Sequence, residues 1–203
     1  MNFTAIKHVA LVAIAAISLS ACGINSVPTA EEAAKAKWAD VEASFQKRSN
    51  LLSNLGEIAT SASDREGGIL TDVIEARSKA TSVQLSTDDL SDPAKMQQYQ
   101  EAQNQLSQGL GRLLVNVERY PELKSNDNFL MLQGQAEGIE NKIRIAIRDY
   151  NEAVRVYNTT IRTFPDTIGA NLIHGAEPME PYTAVTEGAE VAEDLDLGRD
   201  SAN

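Results

Sequence analysis

The chain has 203 residues, a length that suits one domain with a sizeable core better than two. Aromatic residues make up only 5% of the chain, and this composition favours helices over a β-sandwich. The net charge of −11 is concentrated in residues 176–203, which hold eight acids against one base; the chain therefore offers neither the clustered basic face that nucleic-acid binding needs nor a polybasic segment for anionic lipids.

Residues 1–21 have the pattern of a bacterial lipoprotein signal peptide. A single base, Lys7, precedes an apolar run of 11 residues that ends at Leu19. This run is far shorter than the roughly 20 residues that a membrane-spanning helix needs. It leads into Leu-Ser-Ala-Cys22, which matches the lipoprotein box, where the thiol receives diacylglycerol and the chain is then cut before the cysteine. We therefore predict that Cys22 is the lipidated first residue of the mature protein, since a thiolate is nucleophilic enough to accept the lipid.

The acyl chains on Cys22 would supply the attachment to a membrane, because two or more chains anchor a protein stably. The alternative interpretation is a lone structural cysteine beside an uncleaved helix. Gly23 follows the cysteine, where an aspartate tends to retain lipoproteins in the inner membrane. In a Gram-negative host, the periplasmic side of the outer membrane is therefore favoured. Residues 22–28 are predicted to be a short tether of about 20 Å.

Four amphipathic segments follow the tether. The first is predicted to begin at the capping box Thr29-Ala-Glu-Glu32, and the second at the box Ser63-Asp-Arg-Glu66. The third is predicted to begin at Asp92-Pro93, because proline is tolerated in a first helical turn. The fourth opens near Ser125–Asp127, ends at Phe164-Pro165 and has the strictest heptad pattern of the chain, with apolar residues Phe129, Leu132, Ala136, Ile139, Ile143, Ala146, Tyr150, Ala153 and Tyr157.

These segments predict an all-α fold, namely an antiparallel up-and-down four-helix bundle of long helices over residues 29–170. Each apolar stripe must be buried against the others, and short connections favour antiparallel neighbours. Residues 171–203 are predicted to be a disordered acidic tail because of their composition.

A run of motifs begins in the third helix and continues through the fourth, namely Arg112-Leu-Leu-Val-Asn-Val-Glu-Arg-Tyr-Pro-Glu-Leu-Lys124, Asn128-Phe129, Glu140-Asn-Lys-Ile143, Arg148-Asp-Tyr-Asn-Glu-Ala-Val154, Tyr157-Asn158 and Phe164-Pro165. With these motifs the chain resembles the LemA family over about residues 22–170, and the agreement is closest in this half. The first half agrees at Trp38, Lys47-Arg48, Leu51, Asn54-Leu55 and Glu75-Ala-Arg77. The resemblance implies an envelope protein with a helical bundle behind an N-terminal anchor, and it supplies no catalytic residues.

Three arginines, Arg148, Arg155 and Arg162, recur every seven residues on the fourth helix. They form a possible docking stripe for an acidic partner or for the chain's own tail. The alternative is a solvated face with helix ion pairs worth only a few tenths of a kcal/mol each. Arg48 and Arg77 fall near core-facing positions, so we expect them to have a carboxylate partner or to extend the charged head into water.

No reactive constellation is evident in the sequence. A di-iron bundle needs Glu-x-x-His motifs, whereas the predicted mature chain has one histidine, His174, and a single Glu137-x-x-Glu140 pair. We therefore predict no catalytic residue, metal or cofactor. The expected function is a non-enzymatic envelope scaffold or adaptor that binds a protein partner; the alternatives are a carrier of an apolar ligand or lipid and, least favoured, a hydrolase.

Overall fold

The computed structural model describes the backbone of residues 3–62, 68–117 and 127–183, and the side chains of residues 25–58, 73–115 and 127–183. Within these ranges all the regular secondary structure is helical and there is no strand, so the predicted all-α class is confirmed. The helices are α1 (Phe3–Ala62), α2 (Gly68–Ser82), a 3-10 helix (Thr87–Ser91), α3 (Pro93–Val117), α4 (Asp127–Arg162), α5 (Asp166–Gly169) and a π-helix (Ala170–His174).

The predicted beginnings of the last two long helices agree with the structure. Asp92 caps α3, because its carboxylate accepts hydrogen bonds from the backbone N–H groups of Ala94 (2.9 Å) and Lys95 (3.2 Å). The predicted stripe of α4 faces the core, with seven of its nine residues buried and only Ile139 and Ala153 partly exposed. The box predicted at Ser63–Glu66 lies outside the described residues.

Neighbouring long helices run in opposite directions. Trp38 of α1 packs on Tyr150 of α4 with ring centroids 5.1 Å apart. Arg48, ten residues later on α1, lies beside Glu140, ten residues earlier on α4. Residues later in α1 therefore contact residues earlier in α4, so the two helices are antiparallel. Between α2 and α3, the side chain of Gln103 donates to the Ala80 carbonyl (3.4 Å), and Gly109 lies beside Val73, which is again an antiparallel register.

The bundle has two cores along its length. The proximal core, at the end of the bundle nearest Cys22, is rich in aromatic side chains and includes Val27, Trp38, Phe45, Leu90, Tyr99, Tyr150, Tyr157, Met179 and Tyr182. The distal core is mainly aliphatic and includes Leu51, Leu52, Leu55, Val73, Leu106, Leu110, Leu113, Phe129 and Leu132. All four long helices contribute to the distal core, whereas α2 contributes nothing buried to the proximal one.

The structure differs from the predicted boundary at the N-terminal end of the bundle. Instead of a tether followed by a helix that begins at Thr29, α1 continues through Pro28. Proline in a helix interior costs about 3 kcal/mol, but here Val27 is fully buried and the Ser26 hydroxyl donates to the Asp166 carboxylate (2.5 Å). The Thr29 hydroxyl donates to the Asn25 carbonyl (2.6 Å) and so does not cap a new helix. Packing therefore keeps residues 25–28 helical.

The structure also differs at the C-terminal end, where residues 171–183 do not belong to a disordered tail. After the π-helix, Gly175 adopts a left-handed conformation (φ 56°) that reverses the chain. Residues 176–183 then run back along α4 as an extended segment, which we call the strap. Met179 and Tyr182 of the strap are each only 4% exposed. The chain beyond residue 183 lies outside the described residues.

Candidate functional site

Two Tyr-Asn pairs on α4 bind the backbone of the strap. The side-chain amide of Asn151 donates to the Tyr182 carbonyl and accepts from the Tyr182 N–H, each at 2.8 Å. Asn158 makes the same two-way contact with Met179, at 2.8 and 2.9 Å. The hydroxyl of Tyr150 donates to the Glu180 carbonyl (2.9 Å), and that of the second tyrosine, Tyr157, to the Glu177 carbonyl (3.0 Å). These contacts satisfy main-chain groups that a neighbouring strand would otherwise pair.

The other side of the strap is held by the turn before α3 and by α3 itself. The Glu180 N–H donates to the Leu90 carbonyl (2.8 Å), and the Gln100 amide lies 3.0 Å from the Thr183 hydroxyl. The Tyr182 ring packs 5.8 Å from that of Phe45. The strap thus closes the proximal core from the side that α2 does not reach.

The sequence reasoning missed the strap, although two signals for it exist. The dipeptide Tyr-Asn occurs at Tyr150-Asn151 and again at Tyr157-Asn158, seven residues later, so both pairs fall on the same face of one helix. In addition, α4 has 36 residues and α3 only 25. Trp38 contacts both Tyr99 of α3 and Tyr150 of α4. Since 12 residues of α4 follow Tyr150 and only six residues of α3 precede Tyr99, roughly 9 Å of α4 extends beyond α3 at this end, at about 1.5 Å per residue. Its apolar stripe there needs a cover.

The predicted docking stripe lies on the exposed surface of α4. Arg148 donates to Asp149 (3.0 Å), and Arg155 makes two hydrogen bonds with Glu152, at 2.8 and 2.5 Å. These hydrogen bonds lower the pKa of Glu152 and raise that of Arg155. All three predicted arginines are exposed, so pairs such as these contribute little to stability.

Two of the three arginines border a groove between α4 and the strap. The groove has a volume of about 460 Å³ and is lined by Asn151, Val154, Arg155, Asn158, Thr159, Arg162, Thr163 and Pro181. Val154 and Pro181 give it an apolar floor, whereas Arg155 and Arg162 supply positive charge at its edge. Arg148 is not among the residues that line this groove and lies one heptad before Arg155 on α4. We call this feature the α4 groove.

Arg48 is buried, and of the two predicted alternatives it is the carboxylate partner that the structure shows. Its guanidinium lies 3.3 Å from the Glu140 carboxylate and also donates to Ser107 (2.6 Å) and to the Gln103 side chain (2.7 Å). The guanidinium carbon lies 4.7 Å from the centre of the Phe45 ring. This polar cluster separates the two cores. Arg77 is half-buried, and its Nε donates to the Ser49 hydroxyl (3.3 Å).

The side chain of Cys22 lies outside the described side chains, although its backbone belongs to α1. Glu137 is exposed, and Glu140 forms an ion pair with Arg48. Among the described residues, no group of three or more His, Cys, Asp and Glu residues has metal-binding geometry. Nor does any helix in that part of the chain have the length and apolarity to cross a bilayer.

Comparison with known proteins identifies the family to which the chain is similar. The model of the LemA family matches residues 37–195, which is most of the chain and includes α4, the strap and the α4 groove. A search of curated proteins finds no significant match.

Proposed function

Because the chain belongs to the LemA family, we propose that it is an envelope lipoprotein that acts as a non-enzymatic scaffold or adaptor. In this proposal the signal over residues 1–21 is removed and Cys22 carries the lipid. The bundle then stands outside the cytoplasm, on the periplasmic side of the outer membrane in a Gram-negative host. The support for the anchor is the lipoprotein box at Leu19–Cys22 and the apolar run before it.

The α4 groove is the observation that carries the scaffold proposal. It combines a neutral floor at Val154 and Pro181 with two exposed guanidinium groups, Arg155 and Arg162. Arginine is suited to such a place because its planar fork binds carboxylates with two hydrogen bonds. The residues around it are held by the strap contacts of Asn151 and Asn158, so the groove is formed before a partner arrives. Preorganisation of this kind lowers the entropic cost of binding.

We propose that the partner is an acidic segment of another envelope protein with apolar residues between its carboxylates, because such a segment would complement the charge and the floor of the groove. The existing pair of Arg155 with Glu152 is exposed and exchangeable, so a partner carboxylate can compete for this guanidinium. The chain's own residues 184–203 are also acidic and follow directly from the strap. They are the competing occupant that an experiment must distinguish.

Site-specific cross-linking in native membranes tests this docking site. A photo-reactive phenylalanine derivative at Thr159, in the groove, should give a reproducible adduct with one envelope protein. The matched control is the same derivative at Met131, which is 56% exposed near the start of α4, at the other end of that helix, and should not give that adduct. The adduct should disappear in the Arg155→Glu, Arg162→Glu double variant and persist in Lys142→Glu. An adduct only with residues 184–203, or none at natural expression levels, would contradict partner docking.

The lipid anchor has a separate test. Cys22→Ser removes the acceptor thiol, so the product should no longer be processed and held with the membrane fraction as the acylated protein is. Mass spectrometry of the mature N-terminus should find acyl chains on Cys22 in the parent protein. A Cys22→Ser product that is still processed and tightly membrane-bound would contradict the anchor while leaving the groove proposal intact.

The cleft beside the proximal core does not support the carrier alternative. A cleft of about 380 Å³ opens between α1 and the α2–α3 connection, and polar side chains such as Glu42, Gln46, Ser49 and Gln103 contribute to its wall. The proximal core beside it is filled by the packed rings of Trp38, Tyr99 and Tyr150. An acyl chain would meet polar groups in the cleft and closely packed rings behind it.

A further inference from the structure

One end of the bundle exposes large apolar side chains within a ten-residue segment. Phe164 is 72% exposed, Ile168 47%, Leu172 81% and Ile173 59%. Scattered exposed hydrophobic residues are ordinary on a protein surface, but a cluster of this kind is typical of a binding surface. We call these four residues the end patch.

The short helices of this segment keep the end patch turned outward. Gly169 and Ala170, which lie between Ile168 and Leu172, are buried against the bundle. Ile168 and Leu172 are four residues apart, and both are exposed although the residues between them include these buried positions. Gly175 ends the segment and directs the chain back into the strap. The apolar residues are therefore presented by a fixed, folded turn.

The end patch lies close to the part of α1 that follows Cys22. Asp166, near the start of the segment, accepts a hydrogen bond from Ser26 of α1 at 2.5 Å. Cys22 precedes Ser26 by one turn of the same helix, which is about 6 Å along the helix axis. The end patch thus lies at the same end of the bundle as Cys22, the residue proposed to receive the lipid.

We propose that the end patch inserts into the interfacial region of the lipid bilayer beside acylated Cys22. This inference rests on the proposed lipid anchor. Acyl chains alone would leave the bundle free to swivel on its attachment, whereas a second contact at Phe164 and Leu172 fixes its orientation. Apolar faces buried at this depth bind the boundary between headgroups and acyl chains. Since α4 ends at Arg162, two residues before the patch, the α4 groove is then held just above the headgroups.

A fluorescent probe in the full acylated protein tests this proposal. Cys22 is the only cysteine of the chain and its sulfur is blocked by lipid in the proposed form. A cysteine introduced by Leu172→Cys is then the only free thiol for a nitrobenzoxadiazole label. The matched control is Met131→Cys, which is 56% exposed near the start of α4, at the opposite end of the bundle. The labelled proteins are reconstituted in vesicles of phosphatidylethanolamine and phosphatidylglycerol, with and without nitroxide-labelled lipid.

The label at position 172 should emit at shorter wavelength in vesicles and lose intensity when the vesicles contain nitroxide lipid. The label at position 131 should do neither. Equal, water-like emission from both positions would overturn the proposal. So would a shift at position 172 that grows with protein concentration but shows no nitroxide quenching, since a second copy would then cover the patch.

Failure of the anchor can be told apart from failure of the patch. Two labels on the Leu172→Cys chain by mass spectrometry would mean that Cys22 is not acylated, which contradicts the proposed function. The Cys22→Ser, Leu172→Cys variant then carries one label, at position 172, and can be mixed with the same vesicles. Nitroxide quenching of that variant would support membrane contact by the patch itself, and its absence would overturn it.

Discussion

The distal and proximal halves of the bundle bury their apolar side chains in different ways. The distal half buries leucine and other aliphatic side chains between four helices. The proximal half has α1, α4 and the beginning of α3, and it completes its enclosure with the strap and the 3-10 helix. Its core is correspondingly richer in aromatic rings, which fill a wider and less regular space.

The difference shows how polar side chains can replace a helix as a packing partner. An extended segment has main-chain donors and acceptors that must be satisfied when it is buried. Asn151 and Asn158 satisfy them from α4, while Met179 and Tyr182 fill the core between them. The proximal half therefore depends on a few specific hydrogen bonds and rings, whereas the distal half depends on aliphatic volume.

The largest effect is expected from Trp38→Ala, which removes the centre of the proximal core. Trp38 is fully buried and packs on both Tyr99 and Tyr150. Large-to-small substitutions of this kind cost about 3–5 kcal/mol. The free energy of unfolding should fall by that amount in urea titration, and amide exchange should accelerate first in the strap. Ile145→Ala, on the exposed surface of α4, is the control and should change stability little. Equal losses of protection in both halves would contradict the division into two cores.

Alkaline pH should weaken the proximal half next. Burial raises the pKa of Tyr182 to about 12 and also raises the pKa values of Tyr99 and Tyr150, whereas an unfolded tyrosine titrates near 10. Between pH 10 and 12 the unfolded chain has lost a proton that the native phenol keeps, so the free energy of unfolding falls as pH rises. Below pH 10 the phenol is protonated in both the folded and the unfolded chain, so it does not make the free energy of unfolding depend on pH.

For Tyr182 alone, the loss should reach roughly 2–3 kcal/mol at pH 12. Urea unfolding between pH 9 and 12 measures it, with tyrosinate absorbance followed in parallel. Tyr182→Phe keeps the ring and removes the hydroxyl, so its stability should fall less steeply over this window. Parallel curves for the parent and the variant would show that the buried phenol is not responsible.

Loss of the Arg48–Glu140 ion pair, which lies between the two cores, should reduce the free energy of unfolding less than the changes above. Glu140→Gln leaves the Arg48 guanidinium without its carboxylate, although Ser107 and Gln103 still accept its hydrogen bonds. Removing one partner of a fully buried pair costs about 3–5 kcal/mol. The side chain of Glu140 is 35% exposed, so solvent screening reduces the expected loss to about 1–2 kcal/mol. Glu137→Gln, an exposed neighbour, is the control in the same urea titration. Equal effects of the two variants would contradict a structural role for the ion pair.

The sequence predicted the long helices α3 and α4 because their residues repeat with the helical period. The stripe from Phe129 to Tyr157 and the cap at Asp92 depend only on residues near in sequence, and both agree with the structure. The buried position of Arg48 and its carboxylate partner were also predictable, since a charge on an apolar stripe must be compensated.

The strap could not be predicted from local pattern. Its sequence, Glu177-Pro-Met-Glu-Pro-Tyr182, has two prolines and two acids and resembles a solvated tail. It is ordered only because partners far away in sequence, such as Asn151 and Leu90, are already in place. The same is true of residues 25–28, whose Pro28 indicates a helix start until the contact with Asp166 is known. Tertiary packing decides both cases.

The smallest and most local effect is expected from Asn158→Ala. This change removes both hydrogen bonds to Met179, one to its carbonyl and one from its N–H. Asn158 is only half-buried, so water can partly replace the amide, and the cost should be about 1 kcal/mol. Hydrogen exchange at the Met179 amide should become roughly five times faster, while exchange in α2 and the distal part of α3 stays unchanged.

Asn141→Ala provides the matched control, because Asn141 is an exposed asparagine on the distal part of α4 whose nearest described contact is with Arg144 (3.4 Å). It changes the same side chain on the same helix without touching the strap. If exchange at Met179 responds equally to both substitutions, the strap is held by burial of its side chains and not by the asparagine contacts. If only Asn158→Ala releases it, two amide groups spaced by one heptad are what keep an extended, proline-rich segment in place of a helix.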